Sequence, residues 1–193
     1  KKDNLSVGLS YRSSVKIDIT GTATGQEALA GFGLQGVEST ASTSVTFPDI
    51  QTLAVAYKPN SDLTLSLQLD RINWATFDEI KIDFGTSALN GAIGTSTTIP
   101  ENWDATTTLR LGADWAYTEG TKLRAGYVSD PTPTNATDFS PRLPGNDRQL
   151  LTFGYGKVLS DNLTMDLAYA YVWLDDRTVA SPTNAAYFGT YQS

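Results

Sequence analysis

Cysteine and histidine are both absent from the sequence. Without cysteine the chain can form no disulfide, no thiolate nucleophile and no thiolate metal site. Without histidine it lacks the base of Ser-His-Asp and Cys-His catalysis and the commonest metal ligand. We therefore expect a protein that is not an enzyme and that carries no metal ion or other cofactor.

Positive charge is also scarce, with 14 lysines and arginines against 21 acidic residues and a net charge of −7. This balance argues against a nucleic-acid partner, because binding to phosphates requires a basic surface. No apolar stretch reaches the length of about 18 residues or more that a transmembrane helix needs.

The two ends of the sequence suggest an excerpt. Lys1-Lys2-Asp3-Asn4 leads directly into a strand pattern without a signal peptide. Residues 187–191 have the pattern of a strand that is just beginning. We expect residues 1–193 to form a single domain taken from a longer chain.

The most regular stretch, residues 103–131, reads as a β-hairpin. Side chains alternate with period 2, which is typical of a strand with two different faces. Glu119-Gly120 forms the turn, and the second arm repeats the alternation. One face of the first arm carries Thr107, Leu109, Leu111, Ala113, Trp115 and Tyr117, and the other carries Thr108, Arg110, Gly112, Asp114 and Ala116.

The same alternation predicts seven strands and the start of an eighth. Before the hairpin we expect strands at about 5–19, 44–58 and 63–84, the last with a β-bulge near Arg71. After it, strands begin near Gln149 and Leu163. If the first strand is unbroken, its roughly 60 Å exceed a lipid-facing band of about 25 Å. It must then rise above the membrane or bend.

Long and short connections alternate strictly along the chain. Long connections rich in small residues cover 24–43, 85–101, 130–146 and 175–186, and compact turns lie between them. This habit, with aromatic residues near the strand ends, is typical of outer-membrane barrels. A soluble all-β sandwich is the alternative, but it gives no reason for such sorting. The predicted fold is all-β, a fragment of an antiparallel up-and-down transmembrane β-barrel.

Several segments resemble the FadL-type long-chain fatty acid transporters of the bacterial outer membrane. They occur in the family's order and cover nearly the whole chain. Gly145-Asn146 departs from the pattern, since the family tends to have a carboxylate there. The segments are Tyr11-Arg12-Ser13-Ser14-Val15-Lys16-Ile17-Asp18, Phe47-Pro48-Asp49-Ile50, Trp74-Ala75-Thr76-Phe77, Trp103-Asp104-Ala105, Arg110-Leu111-Gly112, Leu123-Arg124-Ala125-Gly126, Asp130-Pro131-Thr132-Pro133 and Leu143-Pro144-Gly145-Asn146-Asp147-Arg148.

This resemblance implies a larger barrel, plugged by an N-terminal hatch, that passes hydrophobic molecules into the outer membrane. The chain would then be the C-terminal portion, without the hatch, the early strands and the closing strand. It implies a monomeric barrel whose partners are a long-chain fatty acid or another hydrophobic small molecule, together with membrane lipid or detergent. Fatty acids and aromatic hydrocarbons both stay open as substrates.

The first candidate binding surface lies in the connection 24–43. Its apolar residues suit a loop that meets an apolar ligand, and the resemblance supports an acyl-chain groove there. A flexible loop is the alternative. The run Gly31–Gly36 fits G-x-G-x-x-G, but no helix pattern follows it, so a nucleotide site is not expected. The residues concerned are Leu29, Phe32, Leu34 and Val37.

The second candidate is a carboxylate partner on the polar face of the strands. Arg12, Arg110 or Arg124 could bind a fatty-acid carboxylate, since a guanidinium suits that geometry. The alternative is that these charges pair with Asp70, Asp114 and Asp166 to fill the barrel interior. The acidic pairs 78–79 and 175–176 are read as a solvated rim, because hard cations need several converging oxygens.

The sequence thus predicts passive uptake of long-chain fatty acids or other hydrophobic compounds. The alternative is a general porin or structural barrel that passes small polar solutes. A barrel-embedded hydrolase is not expected, because those enzymes need a histidine.

Overall fold

The computed structural model describes residues 4–140, 142–143, 145–179 and 185–191, and the regular structure of this part of the chain is mainly antiparallel strands. Short helical turns cover Glu27–Phe32, Trp74–Thr76, Ala185–Tyr187 and, as α1, Asn90–Ile93. The strands are β1 (Leu5–Arg12), β2 (Val15–Thr24), β3 (Glu38–Phe47), β4 (Ile50–Tyr57), β5 (Leu63–Ile72), β6 (Glu79–Phe84), β7 (Ser96–Pro100), β8 (Thr106–Thr118), β9 (Thr121–Asp130), β10 (Arg148–Ser160), β11 (Leu163–Leu174), β12 (Arg177–Val179) and β13 (Gly189–Tyr191).

No helix in these ranges is long and apolar enough to cross a membrane.

The main sheet has seven strands in the order β1-β4-β5-β8-β9-β10-β11. Each neighbouring pair is antiparallel, so the sheet is an up-and-down meander. Its connections alternate between long and short, which confirms the predicted seven strands and the predicted sorting of loops. We call the end with the short connections the turn rim and the other end the loop rim.

The turn rim is closed by compact local contacts. The Asn60 side-chain oxygen accepts hydrogen bonds from the backbone N–H groups of Asp62 and Leu63, at 3.0 and 2.9 Å. Gly120 adopts φ 69°, a left-handed conformation that glycine enters without steric cost. Its carbonyl accepts the Val158 N–H at 2.7 Å, which ties the hairpin turn to β10.

A second sheet, in the order β2-β3-β6-β7, extends from the loop rim. The strand pattern over 5–19 is therefore not one unbroken strand: the chain breaks at Ser13-Ser14, and residues 15–24 pair with β3 beyond the loop rim. The predicted strand 44–58 likewise divides at Pro48-Asp49. Proline supplies no N–H to a strand ladder, and the two breaks lie opposite each other.

Three connections contain more structure than predicted. Residues 38–43 belong to β3 rather than to a connection, and residues 96–100 form β7 inside the predicted loop 85–101. Within 175–186, residues 177–179 form β12, which pairs with β13 at residues 189–191. Residues 180–184 lie outside the described ranges.

The predicted β-bulge near Arg71 is also wrong. The β4–β5 register continues without a shift to Ile50 opposite Ile72. The apolar pattern moves from the odd positions Leu63–Leu69 to the even positions Ile72 and Trp74. Ile72 ends β5 with its side chain on the polar face, and Trp74 belongs to the helical turn Trp74–Thr76, which is closed by the Phe77 N–H bonding to the Trp74 carbonyl at 2.8 Å. The predicted strand 63–84 is thereby divided into β5 and β6.

The main sheet has no apolar core of its own within the described residues. The fully buried apolar side chains, Leu89, Phe139 and Val179, lie in or beyond the long connections. On the apolar face, Leu9 is 81% exposed and Tyr169 is 63% exposed. Such a sheet must meet an apolar environment on this face, which is what a barrel wall meets in lipid.

Candidate ligand site at the loop rim

Asp70 organises the part of the polar face near the loop rim, two residues before the end of β5. It is 6% exposed and forms an ion pair with Arg110 of β8. Thr52 of β4 donates a hydrogen bond to its carboxylate at 2.7 Å, and the Gln68 amide donates to both oxygens at 3.0 Å. Arg110 is therefore paired within the wall, as in the ion-pairing alternative.

Arg124 is paired as well. It donates through Nε to Asp114 and through Nη1 to Asp166, both at 2.9 Å. Asp166 lies on β11, two strands away, so the guanidinium crosses β10. By register, Gly154 faces Arg124 and Gly156 faces Asp166, and the absence of side chains there leaves the path open.

Arg12 lies apart from the other two predicted arginines. It is exposed at the loop-rim end of β1, an edge strand of the sheet, whereas Arg110 and Arg124 lie on the central strands β8 and β9. Among the described residues, no carboxylate lies within 4.0 Å of its guanidinium. The three arginines therefore do not form one site.

The predicted apolar loop residues occupy the helical turn 27–32 and the segment after it. Phe32 is 78% exposed, while Leu29, Leu34 and Val37 are half-buried. Leu34 and the buried Leu89 both approach Gly25, where an added Cβ would lie 2.0 Å from the Leu34 carbonyl oxygen. This segment lies outside the cavity described next, and its use as a ligand groove stays a prediction.

A cavity of about 600 Å³, which we call the rim cavity, lies where the polar face meets the long connections. Its walls are mainly apolar, with Asp130 and Arg148 at the strand ends. The apolar wall residues include Ile72, Trp74, Trp103, Pro131, Leu143 and Leu174. Sequence reasoning missed this site, because its walls come from five separate segments of the chain.

Arg148 supplies a cation of the rim cavity at the end of β10, and the exposed Arg142 of the connection after β9 also lines the cavity. Asp130 holds it through Nε at 2.7 Å and Nη2 at 2.5 Å, and Thr108 donates to the other Asp130 oxygen at 2.7 Å. The Arg148 side chain is nevertheless 58% exposed. A guanidinium that is held in place by Asp130 and is still exposed can also donate hydrogen bonds to the carboxylate of a ligand. Its place in the family-like segment 143–148 was the one signal in the sequence.

Aromatic rings form one wall of the rim cavity. The rings of Trp74 and Trp103 meet edge to face with centroids 5.2 Å apart, and Phe77 contacts Trp103 at 4.6 Å. The Trp103 Nε1 group donates to the Glu101 carboxylate at 3.1 Å. Glu101 is 4% exposed, so the aromatic wall is anchored to a buried acid.

That burial raises the pKa of the Glu101 carboxyl. The hydrogen bond from Trp103 opposes the shift, the neighbouring charge of Asp138 adds to it, and Arg142 opposes it. Burial prevails because the interior solvates an ionised carboxylate poorly.

The roof of the cavity is tied down by Asn135. Its amide donates to the carbonyl oxygens of Glu101 and Asn102, at 3.0 and 2.8 Å. The Asp104 N–H also bonds to the Pro133 carbonyl at 2.8 Å. The connection after β9 is thus held over the segment that carries Trp103.

An apolar track leads from the rim cavity along the polar face. Val128, Leu150 and Val172 lie side by side on β9, β10 and β11, one row below Asp130 and Arg148. Cavity and track together offer apolar walls and the guanidinium groups of Arg148 and Arg142. Within the described ranges no group of three or more acidic residues could hold a metal ion. This arrangement suits binding rather than bond-making chemistry.

Comparison with known proteins places the chain in a family. The family model "Outer membrane protein transport protein (OMPP1/FadL/TodX)" matches residues 1–192. Outer membrane protein P1 of Haemophilus influenzae is 27% identical over 170 residues, which cover 86% of this chain and 34% of that protein. A putative outer membrane protein of Neisseria meningitidis serogroup B is 24% identical over 189 residues, which cover 90% and 40%.

Solved structures show the same fold. A Pseudomonas aeruginosa FadL homologue aligns with a TM-score of 0.77 and 22% identity, over 93% of this chain and 43% of that one. The CymD monoaromatic hydrocarbon channel aligns with a TM-score of 0.59 and 17% identity, over 90% and 44%. The chain thus spans less than half the length of each protein compared here.

These matches confirm the resemblance, the barrel-wall fold and the outer-membrane location expected from the sequence. The chain belongs to the outer membrane protein transport protein family (OMPP1/FadL/TodX), a family of transport proteins of the bacterial outer membrane, and its seven-stranded sheet is part of a transmembrane β-barrel.

Proposed function

We propose that the protein to which this chain belongs takes up hydrophobic compounds passively across the outer membrane, and that long-chain fatty acids are its preferred substrates. The observation that carries this proposal is the rim cavity, which joins apolar walls to the exposed guanidinium of Arg148. A fatty acid has both matching parts, an acyl chain and a carboxylate. Only binding and release are involved, and no bond is made or broken.

Arg148 also distinguishes between the two substrate classes left open by the sequence. One related structure is a FadL homologue and the other is a monoaromatic hydrocarbon channel. A hydrocarbon would gain nothing from a guanidinium held by Asp130, and its binding would leave that charge partly desolvated. A carboxylate would instead gain a charge-assisted hydrogen bond.

The apolar track suggests how the acyl chain extends from the cavity. With the carboxylate at Arg148, the chain would lie over Leu150, Val128 and Val172 in the next row. In this proposal Arg110 and Arg124 stay in their ion pairs within the barrel wall and do not bind the ligand. Arg12 stays a possible second contact at the loop rim.

The surface formed by Leu29, Phe32, Leu34 and Val37 would collect ligand before it reaches the rim cavity. Phe32 supports this role because it exposes most of its ring to solvent. In the whole protein, this chain would supply the C-terminal part of a monomeric barrel as a single domain. The remaining strands and a hatch would come from the rest of the protein.

Binding of labelled oleate to the full-length protein in detergent tests the proposal. We expect saturable binding that Arg148→Gln weakens about tenfold, since a hydrogen bond to a charged group contributes about 1.5 kcal/mol. Arg71→Gln is the matched control, because Arg71 lies on β5 near the same rim and donates to Thr107 and the Ala105 carbonyl. Its substitution should leave oleate binding unchanged.

Competition decides the substrate class. Displacement of oleate by toluene but not by other long-chain acids would redirect the proposal to hydrocarbon uptake. Absence of saturable binding, together with open conductance in a planar bilayer, would leave a general porin.

A further inference from the structure

The apolar face of the main sheet carries a groove near the turn rim. Its volume is about 920 Å³, and it lies on the outer side of the wall, away from the rim cavity. Apolar side chains dominate its lining, among them Ala113, Trp115, Ala125, Phe153, Tyr155 and Leu167.

The groove follows from side-chain size along the strands. Ala113 of β8 faces Ala125 of β9 directly, so two small side chains make its floor. Phe153 stands beside Ala125 on β10, and Trp115 lies one row closer to the turn rim. Large side chains around a pair of alanines leave a notch wide enough for a hydrocarbon chain.

A lysine lies just beyond the turn-rim end of this groove, one row past the lining residue Tyr155. Lys157 follows Tyr155 by two residues on the same face of β10, about 7 Å further along the strand. It faces Thr121 and Met165 across the sheet. Throughout the described ranges, no carboxylate lies within 4.0 Å of its ammonium group. Its charge on this face is therefore free to bind an anion.

The membrane supplies a molecule with both matching features. Short turns of outer-membrane barrels lie on the periplasmic side, so the groove opens to the periplasmic leaflet. A phospholipid of that leaflet has its phosphate at the height where lysine meets the interface and its acyl chains in the apolar band. Trp115 and Tyr155 lie between these two levels.

We propose that this groove is a phospholipid-binding site, in which Lys157 binds the phosphate and one acyl chain lies over Ala113 and Ala125. The site is separate from the uptake route and does not depend on the transported compound. Its occupant is a diacyl phospholipid of the periplasmic leaflet.

Native mass spectrometry of the delipidated full-length protein, titrated with phosphatidylglycerol, tests the site. We expect one tightly bound lipid per protein. Lys157→Gln should weaken it about fivefold, as expected for one lysine at a membrane surface. Lys122→Gln is the matched control, because Lys122 lies at the same rim on the opposite face and should have no effect.

Filling the groove is the second test. Ala125→Leu should weaken phosphatidylglycerol binding about tenfold, since it removes contacts of about two methylene groups. Ser129→Leu adds the same bulk on the same face of β9, four residues nearer the loop rim, and should leave binding unchanged. Lys157 is exposed, so its variant tests the site even if Ala125→Leu does not fold.

Three results would overturn the proposal. One is equal affinity for the Ala125→Leu and Ser129→Leu variants, and another is equal affinity for the two lysine variants. The third is displacement of phosphatidylglycerol by an equimolar amount of oleate, which would assign the groove to transported compounds.

Discussion

Arg124 and Asp166 form an ion pair of 2.9 Å although a whole strand lies between them. The guanidinium of β9 reaches the carboxylate of β11 across β10, over Gly154 and Gly156. A Cβ added at Gly156 would lie 2.7 Å from the Asp166 oxygen and 3.3 Å from Arg124 Nη1. Glycine in this strand therefore lets three strands be cross-linked on the polar face.

We predict that Gly156→Ala uncouples this pair. The new methyl group displaces the Asp166 carboxylate, so Asp166→Asn should lower the urea midpoint in the wild type and have little effect in the Gly156→Ala background. Gly8→Ala is the control background, because a Cβ there meets nothing within 4 Å. If Asp166→Asn has the same effect in all three backgrounds, the glycine has no role in the pair.

Asp70→Ala should destabilise the barrel markedly. The change removes the acceptor for Thr52 and Gln68 and leaves Arg110 without its ion-pair partner. The cost should be about 1–3 kcal/mol in the free energy of unfolding, as for other buried groups that lose a partner. Urea unfolding of the full-length protein measures it. A loss no larger than that of Asp62→Ala, at the exposed turn rim, would contradict the account.

Glu101 should make stability depend on pH. Because burial raises its folded-state pKa, its contribution is present below its ordinary value of 4.5 and is lost as the pH rises through the raised value. Glu101→Gln stays neutral and should therefore be more stable than the wild type near neutral pH, with the difference vanishing in acid. Urea midpoints over this range measure the effect, and Glu119→Gln, at an exposed turn residue, is the control.

Arg177 should hold the connection after β9 in place. Its guanidinium donates to the carbonyl oxygens of Gly145 and Thr134, at 2.6 and 2.8 Å, and lies 5.0 Å from the centre of the Phe139 ring. A lysine side chain cannot donate to both carbonyl oxygens in this geometry. Arg177→Lys should therefore raise the rate of amide hydrogen exchange in residues 131–140, while residues 121–130 stay protected. Unchanged exchange would show that this connection is held by other contacts.

The sequence predicted the main sheet because its signals are local. Strict alternation and a Glu119-Gly120 turn specify the β8–β9 hairpin without reference to the rest of the fold. Pro48 is an equally local signal, and it marks the break between β3 and β4. The phase change between Leu69 and Ile72 is compatible in sequence with a bulge. The unshifted register of β4 and β5 and the hydrogen bonds of residues 73–77 show instead a strand that ends at Ile72 and a helical turn after it.

The rim cavity could not be predicted in the same way. Arg148 and Asp130 are 18 residues apart, and their contact depends on the register of β9 and β10 across a long connection. The tryptophans of the aromatic wall come from two further connections. The sequence identified arginines by face alone. Arg110 and Arg124 lie in mid-strand and pair with carboxylates of other strands. Arg148 also pairs with a carboxylate, Asp130, but it lies at a strand end and keeps more of its side chain exposed.

The position of the acyl chain is the most direct test of the proposed function. Brominated stearate bound to the full-length protein should quench the fluorescence of Trp74 and Trp103, which line the rim cavity. Most of the quenching should therefore disappear in a Trp74→Phe/Trp103→Phe variant and persist in a Trp115→Phe/Trp173→Phe variant. The opposite pattern would place the fatty acid on the outer face of the barrel and contradict uptake through the rim cavity.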